Sequence, residues 1–285
     1  MLDDKKPLIE YHLFDTHCHM NMMVKKEFDT LMSPLEISSC ASIIAQAQTE
    51  DTSYILNVGT SVPESANCVA LAYQFPYVWA AVGIHPNDCT STWLQDMQEI
   101  KNMIKKDQQR EGHLEPKIKA IGECGIDKHY PDYNLSRQYD AFRAQIELAL
   151  TYDLAVVVHS RDAYDETLKI IDEYRHEKLR GTIHCFSEDL DFARHAISCG
   201  FVLGIGGTIT YPKNTVLRDV VTQVGLEHII LETDAPFLPP QIIRGKQNHP
   251  QYIKHIALYL ANLYSIDYQQ IARITTNNAQ RIFKI

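Results

Sequence analysis

The hydrophobic pattern switches between two periods along the chain. Short aliphatic runs of strand length recur, each followed by a longer segment whose apolar residues return every three or four positions. The runs are His12–Thr16, Ser53–Val58, Val78–Ile84, Ile118–Gly122, Ala155–Val158, Gly181–His184, Phe201–Ile205 and His228–Leu231. The helical segments between them are Glu36–Gln48, Pro63–Tyr73, Thr92–Asp107, Ser136–Thr151, Ala163–His176, Leu190–Cys199 and Thr215–Val224. Two more, Gln251–Tyr264 and Asp267–Phe283, close the chain. Strands covered on both faces read as unbroken aliphatic runs, as Leu154–Val158 does. Such runs alternating with helices predict parallel strands of the α/β class, and their number suits a closed (β/α)8 TIM barrel forming one domain over residues 1–285. The rival is an open doubly wound sheet. It would place a G-x-G-x-x-G turn after its first strand, where this chain has Asp15-Thr16-His17-Cys18-His19. Gly204, Gly206 and Gly207 cluster after the seventh run and read as a tight turn rather than a phosphate loop.

Composition narrows the class. Of 285 residues, 45% are hydrophobic and 22% charged, which suits a globular chain with a core that needs no disulfides. No run approaches the roughly 18 apolar residues of a membrane span. Met1–Glu10 carries Asp3, Asp4, Lys5, Lys6 and Pro7 where a signal peptide has its apolar segment, so a cytoplasmic location is expected. A monomer is expected as well. The 7 cysteines show no C-x-x-C spacing and read as reduced thiols. With 36 acids against 27 bases, net −9, a broad basic surface for polyanions is excluded, though a locally positive site is not.

The 13 histidines change the picture, because several stand at the ends of strand-like runs. His17 and His19 share one face of the first strand, with Cys18 on the other. The fourth run ends in Glu123, a carboxylate costly to bury unless it is paired or bound to metal, with Gly122 and Gly125 allowing close approach. The fifth ends in His159-Ser160-Arg161 and the sixth in His184-Cys185. The eighth runs into Glu232-Thr233-Asp234. Taken singly, each reads equally well as a hydrogen-bonded core histidine or a salt-bridged acid. In a barrel, however, the C-terminal strand ends converge on one mouth. Four imidazoles and two carboxylates meeting there suffice for two divalent cations.

These stretches resemble the TatD-like family of metal-dependent deoxyribonucleases, within the amidohydrolase-type barrels. The matching segments are Phe14-Asp-Thr-His17-Cys-His19, Val82-Gly-Ile-His85-Pro, Ile121-Gly-Glu123-Cys-Gly-Ile-Asp127, His159-Ser-Arg-Asp162, His184-Cys-Phe-Ser187 and Leu231-Glu-Thr-Asp234-Ala-Pro-Phe-Leu238. Arg244-Gly-Lys246-Gln-Asn248-His-Pro250 and Thr275-Thr-Asn-Asn278-Ala-Gln-Arg281 also fit. The resemblance implies a (β/α)8 barrel, divalent magnesium, manganese or zinc, and hydrolysis of DNA phosphodiesters, often from the 3′ end. It implies His17, His19, Glu123, His159, His184 and Asp234 as metal ligands, Glu123 bridging, and His85 as a phosphate contact. Met22-Met23-Val24-Lys25-Lys26 departs from a more acidic family loop and is expected to affect substrate preference.

A divalent ion lowers the pKa of a water it binds, neutralises phosphate oxygens and orients attack. Glu123 and Asp234 bring −2 against +4 from two such ions, leaving the mouth at about +2 and attractive to phosphate. Asp234 is the candidate general base toward that water. Arg161 and Lys246 join His85 as candidate phosphate clamps. Glu232 is expected to orient a ligand. Cys18, Cys124 and Cys185 are expected to pack away from the metal. His113, His129, His176, His195, His228 and His255 are expected at the surface or in caps. Tyr133, Tyr211 and Phe237 could stack on bases. The substrate is therefore expected to be DNA, single-stranded or at 3′ ends. A D-aminoacyl-tRNA ester or an amide would use the same chemistry, and a DNA-binding scaffold with a vestigial site is the non-catalytic alternative, which the net negative charge disfavours.

Overall fold

The computed structural model describes residues 12–110 and 115–285. The readings of Met1–Glu10 and of His113 fall outside the described residues. Eight parallel strands pair in chain order: β1 (Leu13–Cys18), β2 (Thr52–Val58), β3 (Val78–Val82), β4 (Ile118–Asp127), β5 (Ala155–Arg161), β6 (Gly181–Ile183), β7 (Phe201–Ile205) and β8 (Ile229–Leu231). The helices are α1 (Met20–Val24), α2 (Pro34–Gln48), α3 (Val62–Gln74), α4 (Trp93–Gln108), α5 (Leu135–Tyr152), α6 (Tyr164–Glu173), α7 (Leu190–Ser198), α8 (Thr215–Val224), α9 (Ile253–Tyr264) and α10 (Tyr268–Phe283). Side-chain caps start several of them: Ser33 in a capping box with Glu36, Ser61, Asn134 and Asp189. No described helix is long and apolar enough to cross a membrane.

The barrel closes between β1 and β8 beyond the last residues of β8. Asp234 N–H donates to the His17 carbonyl at 2.9 Å, and His19 N–H to the Ala235 carbonyl at 2.8 Å. Cys18 and Ala235 form the parallel bridge between them. The segments carrying the candidate chemistry are thus also the seam of the barrel.

The core has two layers, as the strand alternation requires. Phe14, Leu56, Trp79, Ala81, Ala120, Val157, Val202 and Ile230 fill the interior. Ile282 and Phe283 of α10 join them, with the Phe14 ring 6.2 Å from Phe283, so α10 closes the floor of the barrel. Leu13, Val78, Ile121, Val156 and Val158 face outward under the helices. Counted strictly from Phe14 and Ala120, alternation would turn His17 and Glu123 away from the interior. The register shifts between Asp15 and Cys18 in β1, and between Ile121 and Cys124 in β4. These irregularities change the phase. Cys18 and Cys124 then pack outward, as expected from the sequence, while His17, His19 and Glu123 face the mouth. In β5 the phase holds from Val157 to His159.

Gly125 sits in this rearranged part of β4 with φ of +145°, and a Cβ there would lie 2.0 Å from the His159 carbonyl oxygen. Gly125→Ala is expected to destabilise the fold by about 2 kcal/mol or more, since backbone strain and a clash with β5 add. Urea unfolding measures this, and a midpoint equal to the parent's would contradict it.

Candidate metal centre

The C-terminal strand ends bring His17, His19, His85, Glu123, His159, His184 and Asp234 together. Three triads have donor atoms within 4.8 Å of one another: His17, His19 and Asp234; His17, Glu123 and His184; His85, Glu123 and His159. The His17 Nε2 atom lies 3.1 Å from His19 Nε2, 3.4 Å from Glu123 Oε2 and 3.7 Å from Asp234 Oδ1. His19 Nε2 is 3.8 Å from the same Glu123 oxygen and 3.4 Å from Asp234. At ligand distances of about 2.1 Å, tetrahedral donors stand about 3.4 Å apart. The donors of His17, His19 and Asp234 therefore fit around one cation, with Glu123 Oε2 beside the two imidazoles. The other Glu123 oxygen, Oε1, faces His159 Nδ1 at 2.7 Å, His184 Nε2 at 3.6 Å and His85 Nε2 at 3.8 Å. Among the described residues, Glu123 and Asp234 form ion pairs only with histidines, which removes the reading of Glu123 as an arginine partner.

The far sides of three of the imidazoles meet further protein groups. His19 Nδ1 donates to the Val58 carbonyl at 2.8 Å, leaving Nε2 as the donor to a cation. His184 Nδ1 faces Glu232 at 3.0 Å. That carboxylate, fully buried, also accepts from Cys185 N–H at 2.6 Å. Glu232 fits because Gly204 has no side chain: a Cβ there would lie 2.3 Å from Glu232 Oε2. One member of the glycine cluster thus lodges a carboxylate within β7. His159 Nε2 meets Asp127 Oδ2 at 3.1 Å. Such partners fix ring orientation and basicity at a metal site.

The charge state follows from this packing. Burial opposes a charge on Glu123, but His184 and His17 outweigh it and hold the pKa well below the usual range. Asp234 is held down in the same way, chiefly by its bond to His19. Burial also works against a charged His184, yet Glu232 and Glu123 raise it to about 10. His85 behaves oppositely: burial, with His159 beside it, lowers it to about 3. Its Nδ1 accepts from Asn87 N–H at 3.2 Å, so its proton sits on Nε2, facing the cavity.

A cavity of about 330 Å³ holds most of this constellation, with Met22, Arg161 and Phe237 in its wall. Lys246 is not brought there. It stands in an exposed loop, its backbone N–H bonded to Ile243. Tyr211 is also elsewhere, its hydroxyl on the Pro239 carbonyl at 2.8 Å and its ring under Arg244. Lys25, in the unusual loop after α1, turns inward to pair with buried Glu64 at 2.6 Å. Cys185 departs from its expected placement: β6 ends at Ile183, Cys185 has φ of +47°, and its sulfur lies within 4.8 Å of donor atoms of His184 and Glu232. His129 pairs with Asp162 in the loops that follow β4 and β5, and His195 of α7 pairs with Asp172 of α6.

Two further acids, Asp127 and Asp15, bear on the site. Asp127 was legible in principle, as a second carboxylate after an aliphatic strand. Asp15 accepts from the backbone N–H and hydroxyl of Thr233 at 2.9 and 2.6 Å, tying β1 to the segment that carries Asp234. Burial pushes it up to about 8 despite those bonds.

Fold and site together define a metal-dependent hydrolase built on a (β/α)8 barrel. The family described as "TatD related DNase" matches residues 14–284, and the chain belongs to it. It is 32% identical to the uncharacterized metal-dependent hydrolase YabD of Bacillus subtilis, over 96% of this chain and 99% of that protein. It is 30% identical to the 3′-5′ ssDNA/RNA exonuclease TatD of Citrobacter rodentium, over 85% and 91% of the two chains. The crystal structure of YjjV, a TatD homologue from Escherichia coli, superposes with a TM-score of 0.84 at 27% identity, covering 96% of this chain and 98% of that one.

A cation requires neutral imidazoles, and His184 carries a proton below about 10, so metal uptake must expel it. Affinity for zinc is therefore expected to rise with pH across the neutral range. Calorimetry at pH 8 in buffers of different ionisation enthalpy should show about one proton or more released per chain, and fewer in Glu232→Gln. Uptake without proton release would contradict this assignment.

Proposed function

We propose that the protein is a divalent-metal-dependent exodeoxyribonuclease that removes nucleotides from the 3′ end of single-stranded DNA. The observation that carries the reading is the position of Glu123, with one oxygen toward His17 and His19 and the other toward His159, His184 and His85. A carboxylate shared between two donor groups suits a pair of ions, and in-line displacement at phosphorus is chemistry that such pairs serve. The activity named for the Citrobacter relative supports the same substrate class.

In this reading His17, His19, Asp234 and Glu123 would hold one ion, and Glu123, His159 and His184 would hold the second. Magnesium, manganese or zinc bound there would supply Lewis-acid polarisation of the phosphate and lower the pKa of the attacking water. Asp234, ionised at neutral pH, accepts the proton of that water. His85 offers its Nε2–H to a phosphate oxygen as a neutral donor. Arg161, exposed in the cavity wall, supplies the cationic contact to the phosphate. Glu232 and Asp127 keep His184 and His159 in the orientation that the ions need.

The test is cleavage of a 5′-labelled single-stranded oligonucleotide beside a D-aminoacyl-tRNA. A ladder shortening from the 3′ end is expected with manganese, magnesium or zinc. Chelator should abolish it, and Glu123→Ala should lower it at least about a thousandfold. Cleavage that survives chelation, or turnover of the aminoacyl ester alone, would overturn the proposal.

A further inference from the structure

A second cavity, of about 470 Å³, adjoins the one that holds the metal-site residues. The two share Asn87 and Tyr130 in their walls, so they are direct neighbours, and neither shared residue is a buried core residue. The second cavity lies between the turn after β3 and the loop from β4 to α5, and its wall includes Tyr133 and Asn134. Tyr130 and Tyr133 are 50% and 41% exposed, so each offers ring surface to a ligand. The charged groups in the wall are Asp132 and Arg137, which balance, and the Arg137 guanidinium already donates to the Cys89 carbonyl at 3.0 Å. A neutral cavity of this kind does not select a second phosphate. It suits an uncharged aromatic ring with polar edges, with tyrosine faces for stacking and Asn87 Oδ1 and Asn134 Nδ2 for the edge, while Asn87 Nδ2 stays on Asp127 at 2.9 Å and Asn134 Oδ1 caps α5 at 3.0 Å. Arg161 stands at the junction: it lines the metal cavity, and its guanidinium carbon is 5.8 Å from the centre of the Tyr130 ring.

We propose that this second cavity is a nucleobase subsite that takes the base of a nucleotide adjoining the scissile phosphate, stacked against Tyr133. The proposal rests on the nuclease reading and deepens it, since it makes the preferred substrate a strand whose terminal bases are free to leave a duplex stack. Stacking on an aromatic side chain is tolerant of base identity, so the subsite gives grip on single strands rather than sequence preference. Of the two tyrosines, Tyr133 is the cleaner probe, because Tyr130 also borders the metal cavity.

The experiment compares kcat/KM of the metal-loaded parent and Tyr133→Ala on decathymidylate and on two decamers with an abasic residue at one of the last two 3′ positions. Tyr133→Ala is expected to lower kcat/KM about tenfold on the intact strand, chiefly through KM. The effect should disappear on the decamer whose missing base is the one that occupies the subsite. Tyr133→Phe, which keeps the ring, should restore the parent value. An equal loss on all three strands, or no loss on the intact one, would overturn the subsite while leaving the nuclease reading in place. Failure of the parent itself to cut decathymidylate would overturn that reading and the subsite with it.

Discussion

A carboxylate buried among imidazoles is the constraint on which the rest of this structure depends. Glu123 is 4% exposed and has no lysine or arginine partner among the described residues. An isolated buried anion is costly, so positive charge must be supplied locally. Protons on the histidines can supply part of it, as the raised pKa of His184 indicates. A bound metal cation would supply it more completely, and the donor spacing accommodates one. Metal dependence is thus built into the electrostatics of the mouth.

The barrel is arranged to meet that requirement. The irregularities in β1 and β4 turn His17, His19 and Glu123 inward at the cost of regular pairing. Gly125 lets β4 run against β5, and Gly204 makes room for Glu232. The seam between β1 and β8 is stitched through His17, His19, Asp234 and Ala235, so closing the barrel and positioning donors are one event. The opposite end is filled by Phe14, Ile282 and Phe283, away from the chemistry.

Much of this was legible in the sequence, and for a physical reason. Strands covered on both faces must be aliphatic, so their alternation with helices announces the barrel. Polar groups at their ends are costly unless they have work, so the site stood out as exceptions to that pattern. What escaped were features that depend on the third dimension. β4 continues to Asp127, past the expected end at Gly122, because its ladder with β5 holds through residues that do not read as strand. β6 stops at Ile183, one residue short of His184, and this turns Cys185 toward Glu232. The five residues of α1 are too short to show a period. Lys246 lies in an exposed loop, and charge alone does not tell which way such a loop turns. Asp127 follows the same aliphatic strand as Glu123, but nothing local in the sequence places it on His159.

Diffraction from crystals grown with manganese, recorded to reveal anomalous scattering, tests the central claim most directly. Two peaks about 3.5–4 Å apart, one on each side of the Glu123 carboxylate, are predicted. A single peak away from Glu123, or none within reach of His17 and His184, would contradict the account.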